Sequence, residues 1–228
     1  PFTSLTPLPG PYAVPAVDVS LKAVFTNTTP NSPVRGAGRP YAIYAVERLI
    51  ETISKNLKID AAEVRRRNFV KEEQMPYATG ALLRDGSPVK YDSGNYHSCL
   101  EKALVLADHA SFKDRQSSAR DDGRHIGMGI SSYVEDTGLG PYEGTMVRVQ
   151  PNGKVLVRSG SASQGQGHHT FIAQIVAETL AISLEDIVFE SGDTGKFPHG
   201  VGTIGSRIAV NVGPSAYEAA NAVKDKAI

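Results

Sequence analysis

Three glycine-rich segments stand out in this 228-residue chain, at residues 35–40, 164–168 and 202–207. Each leads into a predicted helix, where unpaired backbone N–H groups and the helix dipole favour a bound anion. Glycine also lets the backbone approach a ligand closely. Three such segments, with Gln, Ser, Thr and Arg side chains available as hydrogen-bond donors, favour a large phosphate-bearing ligand.

Other interpretations of these segments remain open. Gly36 and Gly38 could simply form a turn before a helix. Gly200, Gly202 and Gly205 match the G-x-G-x-x-G pattern, but a dinucleotide site needs a tight strand–helix turn and an acidic residue about 20 positions further on. Because the residue at that position falls inside a predicted helix, the context argues against a Rossmann site.

Composition excludes several classes of site. The chain has one cysteine and six histidines without metal-binding spacing, which argues against a disulfide framework, a cysteine-ligated zinc site or an iron–sulfur cluster. Acidic and basic residues balance at 24 each, so charge gives no reason to expect nucleic acid or a membrane surface as a partner. A cytoplasmic location fits the single cysteine and the absence of a signal peptide or membrane span.

Hydrophobic periodicity predicts helices over residues 43–57, 60–67, 95–108, 169–181 and 214–228. Strands are predicted over residues 18–26, 126–134, 146–149, 155–157 and 187–190, with an Asn-Gly hairpin turn at residues 152–153. Residues 71–93 are expected to form an irregular connector, and residues 111–123 a polar linker. We therefore predict an α+β fold, with helices packed on mixed or antiparallel sheets and two domains at 1–115 and 122–228.

Two further expectations concern side chains outside the glycine-rich segments. Arg65, Arg66 and Arg67 are interpreted as a solvated helix face. Cys99 is interpreted as a small buried hydrophobe. The chain starts at Pro1, and its last predicted helix stops abruptly, which predicts a piece of a longer protein.

The glycine-rich segments, in this order, resemble the molybdenum subunit of the xanthine dehydrogenase family, in particular its aldehyde oxidase and carbon-monoxide-dehydrogenase-like branch. Matching segments are spread over nearly the whole chain. They are residues 26–28, 35–40, 47–48, 65–68, 76–77, 92–94, 164–170, 192–194 and 202–207. The resemblance implies an internal fragment of the large, molybdopterin-binding subunit, too short to be active alone.

The resemblance implies a molybdopterin cofactor, in its cytosine dinucleotide form, carrying one molybdenum ion that no protein side chain ligates. It also implies partners: the remaining part of the large subunit, an iron–sulfur subunit with 2Fe-2S clusters, a FAD subunit and a small-molecule substrate. The implied cofactor-binding residues lie in the three glycine-rich segments. They are Gly36, Ala37, Gln164, Gly165, Gln166, Gly167, His168, Thr203, Ile204, Gly205, Ser206 and Arg207.

On the substrate side, the resemblance implies that Arg35 orients the substrate and stabilises developing negative charge. Ser132 and Tyr133 are implied to line the substrate pocket. Ser132 replaces an aromatic residue of the purine-oxidising members, and Gly36-Ala37 stands where carbon monoxide dehydrogenases carry a copper-binding cysteine. These two differences leave oxidation of an aldehyde or an N-heterocycle, with water as the oxygen source. The resemblance also places the general-base glutamate beyond Ile228.

Two alternatives stay open. The chain could be a stand-alone phosphate- or nucleotide-binding module without redox activity, or a cofactor-free structural piece whose glycines only form turns.

Overall fold

The computed structural model describes residues 2–29, 32–83 and 85–227, which belong to two compact units. The N-terminal unit is Pro1–Glu135 and the C-terminal unit is Asp136–Ile228. The division falls after Glu135, beyond the predicted linker, and residues 112–121 of that linker form a helix. No helix within the described ranges is long and apolar enough to cross a membrane.

The N-terminal unit contains four α-helices and one hairpin within its described residues. These elements are α1 Arg39–Leu57, α2 Ala61–Asn68, β1 Tyr77–Leu82, β2 Pro88–Tyr91, α3 Tyr96–Leu106 and α4 Phe112–Asp121. The α2 helix begins where the sequence predicts, because the Asp60 carboxylate accepts hydrogen bonds from the N–H groups of Ala62 and Glu63 at 2.9 and 3.2 Å. The apolar core of the unit joins α1, α2 and α3 around Tyr12, Ile50, Val64, Phe69 and Leu100.

Several predictions for this unit were wrong. The segment 71–93 contains the antiparallel β1–β2 hairpin, in which Val89 and Tyr91 are buried. Residues 18–26 and 126–134 form no strand, although their apolar residues suggested one. A strand is defined by its partner, and a short apolar alternation does not say whether a partner exists. Cys99 is exposed, not buried.

The C-terminal unit is a three-stranded mixed sheet packed against two helices. Its elements are β3 Thr145–Val149, β4 Val155–Ser159, α5 His168–Leu180, β5 Ile187–Ser191 and α6 Ile208–Ala227. The predicted hairpin joins β3 to β4 as antiparallel neighbours, and β5 lies parallel to β4. The main apolar core of the unit combines inward-facing residues of the sheet, such as Val157, with Ile172 and Val176 of α5 and Val212 of α6.

The α+β fold predicted from the sequence is confirmed, with one antiparallel hairpin and one mixed sheet among the described residues. One helix boundary differs. The sequence predicts a last helix from Pro214, but α6 begins at Ile208 and Pro214 lies inside it. The third glycine-rich segment therefore ends directly at the start of α6.

Candidate functional site

The strand order of the C-terminal unit brings two glycine-rich segments to one edge of its sheet. β4 and β5 are parallel, and their last residues, Ser159 and Ser191, are paired. The segments that follow parallel strands leave the sheet at the same edge. The loop after β4 leads through residues 164–167 to α5, and the loop after β5 leads through residues 200–207 to α6.

These two loops are in direct contact. A Cβ atom added to Gly160 would lie 1.8 Å from the carbonyl oxygen of His199, and one added to Gly200 would lie 2.7 Å from the carbonyl oxygen of Gly160. The hydroxyl of Thr203 donates a hydrogen bond to the carbonyl of Ala162 at 2.5 Å. Glycine is therefore required at both positions by the close approach of two backbones, and the predicted loops form a single surface.

The loop before α5 presents its backbone to solvent. Gly165 and Gly167 have φ angles of +109° and +74°, and a Cβ atom at either position would meet nothing within 4 Å. Gly167 caps α5 without a side-chain hydrogen bond, so the first N–H groups of the helix receive no side-chain acceptor from the cap. The Gln166 side-chain oxygen accepts a hydrogen bond from the Gln164 N–H at 2.7 Å, which orients the exposed Gln166 amide.

His168 has a different environment from the rest of this loop. Its side chain is buried, and Nδ1 lies 3.2 Å from the carbonyl oxygen of Ser161. The ring also packs edge-on against Phe171. The buried His168 side chain therefore holds the loop in position, although the family resemblance implies a cofactor contact for this residue.

The loop before α6 contains both exposed and buried groups. Ile204 and Ser206 are exposed, and Thr203 is half-buried. Gly202 and Gly205 have φ angles of +113° and +56°, a backbone conformation that glycine adopts most readily. The exposed backbone and hydroxyl groups of this loop can contact a ligand.

Arg207, at the end of the same loop, points into the protein and is 0% exposed. Its Nε donates to the Leu139 carbonyl at 2.7 Å, and its Nη1 donates to the Gly202 carbonyl at 3.1 Å. The guanidinium also binds the Pro141 carbonyl and the carboxylate of Glu143. The Arg207 side chain thus positions the loop, although the family resemblance implies a cofactor contact for this residue.

Glu143 is the buried partner of Arg207, and its structural role was missed by the sequence analysis. Burial alone would raise its pKa, but polar contacts with Arg207, Ser161 and the Val201 N–H, together with the positive charge of Arg207, lower the pKa below its ordinary value. The carboxylate accepts the Val201 N–H at 3.1 Å. Glu143 therefore remains ionised and joins residues 139–143 to the loop before α6. No sequence motif marks this pair, because its members are 64 positions apart.

The first glycine-rich segment, in the N-terminal unit, rests on the start of the chain. The Thr3 hydroxyl donates to the Ala37 carbonyl, and a Cβ atom on Gly38 would lie 2.5 Å from the Ser4 hydroxyl oxygen. Gly38 has a φ angle of +98° and precedes the first residue of α1. The loop has a fixed backbone, while the side chain of Arg35 is exposed.

An ion pair connects this loop to the predicted substrate segment. The guanidinium of Arg39, a buried residue at the start of α1, lies 3.5 Å from the carboxylate of Glu135. Ser132 is half-buried, and Tyr133 is 59% exposed. The N-terminal unit therefore holds the loop that carries Arg35 near the segment that carries Ser132 and Tyr133. Sequence analysis missed Arg39 and Glu135, which make this connection.

The C-terminal loops have the chemistry to hold an anionic, phosphate-bearing group. Residues 164–168 and 202–206 contain no acidic side chain. They offer exposed glycine backbone, the Gln166 amide and the exposed Ser206 side chain. Within the described ranges no group of three or more His, Cys, Asp or Glu side chains could bind a metal ion. The exposed glycine backbone and the Gln166 amide of these loops fit a phosphate-bearing organic cofactor.

Comparison with known families agrees with this class of site. Models of the molybdopterin cofactor-binding domain match residues 1–69 and residues 102–228, and the second match covers more than half of the chain. The chain belongs to the molybdopterin cofactor-binding domain family. The resemblance to the molybdenum subunit of xanthine dehydrogenase-type enzymes is thereby confirmed.

Curated relatives and solved structures match almost the whole chain. The chain is 35% identical to the carbon monoxide dehydrogenase large chain of Hydrogenophaga pseudoflava, over 96% of this chain and 28% of the relative. It is 38% identical to the 6-hydroxypseudooxynicotine dehydrogenase complex subunit gamma of Paenarthrobacter nicotinovorans, over 96% of this chain and 27% of the relative. The crystal structure of quinoline 2-oxidoreductase from Pseudomonas putida 86 is similar with a TM-score of 0.72 and 33% identity, covering 83% of this chain and 25% of that one. The chain thus spans little more than a quarter of the length of these relatives.

Proposed function

We propose that this chain is part of the large subunit of a molybdenum hydroxylase that oxidises an aldehyde or an N-heterocycle with water as the oxygen source. The observation that carries the proposal is the surface formed at the carboxyl ends of β4 and β5, where two glycine-rich loops with exposed backbone are in contact. The names of the relatives support a redox function, since each is a dehydrogenase or an oxidoreductase.

In this proposal, residues 164–167 and 203–206 of the C-terminal unit bind molybdopterin in its cytosine dinucleotide form. A cofactor contact of Gly36 and Ala37 stays a prediction from the family resemblance. When bound, the cofactor supplies the molybdenum centre at which the substrate is oxidised. Backbone N–H groups at the start of α5 stabilise negative charge on the cofactor, and the Gln166 amide donates to it a hydrogen bond. The buried side chains of His168 and Arg207 hold these two loops in position through hydrogen bonds.

The substrate is proposed to lie beside Arg35, Ser132 and Tyr133. An exposed guanidinium can orient a polar substrate and stabilise negative charge that develops on its oxygen. Ser132 leaves more space than an aromatic ring would, which suits an aldehyde or an N-heterocycle such as the quinoline for which one relative is named. The general-base glutamate is proposed to come from another part of the large subunit.

The complete enzyme is proposed to be a cytoplasmic complex. Residues 1–115 and 122–228 would be partial cofactor-binding domains, completed by the remaining part of the large subunit. Electrons would leave through 2Fe-2S clusters on an iron–sulfur subunit to FAD on a third subunit. One relative is itself named a subunit of a dehydrogenase complex, which supports this organisation.

The proposal is tested by the molybdenum and pterin content of the full-length protein, measured by mass spectrometry and by fluorescence of the released pterin. Wild type is expected to hold both in near-stoichiometric amounts. Gln166→Ala should lower the occupancy, because losing one hydrogen bond weakens binding by about 1 kcal/mol. Activity should fall at least in proportion to the occupancy.

The matched control is Gln150→Ala, which changes the same residue type beside the β3–β4 turn, at the opposite end of β4. This variant should keep wild-type occupancy and activity. A wild-type protein without molybdenum or pterin would contradict the proposal. If that protein instead bound ATP or NAD, and Gly205→Val abolished the binding, the chain would be a nucleotide-binding module.

A further inference from the structure

The N-terminal unit contains a buried polar network formed by Tyr12, Glu47 and Arg65. All three side chains are almost fully removed from solvent, and Arg65 is 0% exposed. The interpretation of Arg65 as part of a solvated helix face is wrong. The neighbouring Arg66 and Arg67 do lie at the surface, where both pair with Glu63.

Glu47 is the centre of the network and uses both of its oxygens. Oε1 accepts a hydrogen bond from the Tyr12 hydroxyl at 2.5 Å. Oε2 accepts from Arg65 Nε at 3.1 Å and from Nη2 at 2.7 Å. Burial, the hydrogen bond to Glu47 and the negative charge of Glu47 raise the pKa of Tyr12, so its hydroxyl remains a donor at physiological pH.

Arg65 connects this centre to the segment that carries the proposed substrate residues. Its Nη2 donates to the Ile130 carbonyl at 2.7 Å, while Nη1 donates to the Ala61 carbonyl of α2 at 2.9 Å. The Ser132 side chain slightly lowers the pKa of the Tyr12 hydroxyl, so Ser132 lies on the side of the segment that faces the network.

The segment 126–134 depends on such side-chain contacts because it belongs to no helix or strand. A further contact comes from Gln116, whose amide donates to the Ile126 carbonyl at 2.9 Å. In a sheet, a neighbouring strand would donate hydrogen bonds to backbone carbonyls such as those of Ile126 and Ile130. Here side chains from α2 and α4 take that role.

Stability alone does not account for a buried network of this kind. Removing an arginine and a glutamate from water costs about as much as their attraction returns, and apolar residues of similar size often stabilise a protein equally well. Apolar residues, however, could not donate a hydrogen bond to the Ile130 carbonyl. The specific consequence of this arrangement is a fixed backbone two residues before Ser132.

We infer that Tyr12, Glu47 and Arg65 are positioning residues that hold the backbone at Ile130, and thereby set Ser132 and Tyr133 for substrate binding. The inference rests on the proposed function insofar as it takes Ser132 and Tyr133 to contact substrate. It adds three residues from distant parts of the sequence to the determinants of substrate affinity.

The test compares Tyr12→Phe with wild type in the full-length protein. The variant keeps the ring that stacks on Phe69 at 5.5 Å between centroids but removes the hydroxyl that binds Glu47 and contacts Ser132. Hydrogen exchange of the amides in residues 128–134 should speed up about fivefold, as expected for one lost hydrogen bond. With quinoline and benzaldehyde as probe substrates, KM should rise by a similar factor, while kcat and molybdenum content stay within about twofold of wild type.

The matched control is Arg67→Gln, which removes an exposed ion pair on the same helix and should change neither exchange nor KM. Unchanged exchange and KM in Tyr12→Phe would overturn the inference. Faster exchange throughout the N-terminal unit would also overturn it, because that result reports general destabilisation. Glu47→Gln keeps the side-chain volume, and its exchange and KM are compared with wild type in the same way. A wild-type protein that lacks molybdenum and oxidises neither probe would refute the proposed function, while the exchange result would still decide whether the network holds the segment.

Discussion

At the scale of single residues, two kinds of glycine in the C-terminal unit have different reasons to be glycine. Gly160 and Gly200 are required by backbone-to-backbone contact. Gly165 and Gly167 have positive φ angles and face open space, so their requirement is conformational and leaves their backbone accessible. The first kind holds two loops together, and the second kind provides the surface that we propose binds the cofactor.

This distinction predicts the effect of Gly160→Ala. The new Cβ would lie 1.8 Å from the His199 carbonyl oxygen, so one backbone must move, and we expect a loss of about 1–3 kcal/mol in the free energy of unfolding. Chemical denaturation of the chain measures this loss. Gly127→Ala is the control, since Gly127 has no positive φ and a Cβ there would meet nothing within 4 Å; equal effects of the two substitutions would refute the steric argument.

At the scale of elements, the loops depend on interactions between chain segments that are far apart in sequence. Arg207 and Glu143 join residues 139–143 to the loop before α6. Breaking a buried ion pair leaves one charge unpaired and costs about 3–5 kcal/mol. Glu143→Gln should therefore destabilise the C-terminal unit and release the loop before α6.

The same pair predicts a pH dependence. Because folding lowers the pKa of Glu143 below its ordinary value of 4.5, its ionisation stabilises the folded state above that pH, and this contribution is lost as the pH falls through the folded-state pKa. The difference in unfolding free energy between wild type and Glu143→Gln should shrink between about pH 6 and pH 3. Glu178→Gln, at an exposed position of α5, is the control; a difference that stays constant with pH would contradict the assignment.

At the scale of the whole molecule, the chain is a part of a larger binding cleft in the function we propose. It spans 27–28% of the length of the two curated relatives compared above, and in that function the rest of the subunit supplies the other cofactor contacts. We therefore expect residues 1–228 alone to retain the cofactor weakly. Equilibrium dialysis with molybdopterin measures this retention, and tight, stoichiometric binding by the isolated chain would show that the expectation is wrong.

Local sequence patterns determined much of the architecture. The Asp60 cap, the helical periodicity of α1 and α3, and the turn at Asn152 and Gly153 depend on neighbouring residues, and the structure confirms them. The glycine-rich segments, with their order and spacing, also indicated the family before the fold was known. Each of these features depends on residues that lie close together in the sequence.

Only the tertiary structure decided which polar side chains face inward. Arg65 and Arg67 are two positions apart on one helix and look alike in sequence, yet the first is buried against Glu47 and the second is exposed. The same holds for Arg207, which belongs to a glycine-rich segment but binds Glu143. The partner of each buried charge comes from 18 or 64 positions away, so burial and pairing depend on how the elements pack, which no local pattern of residues specifies.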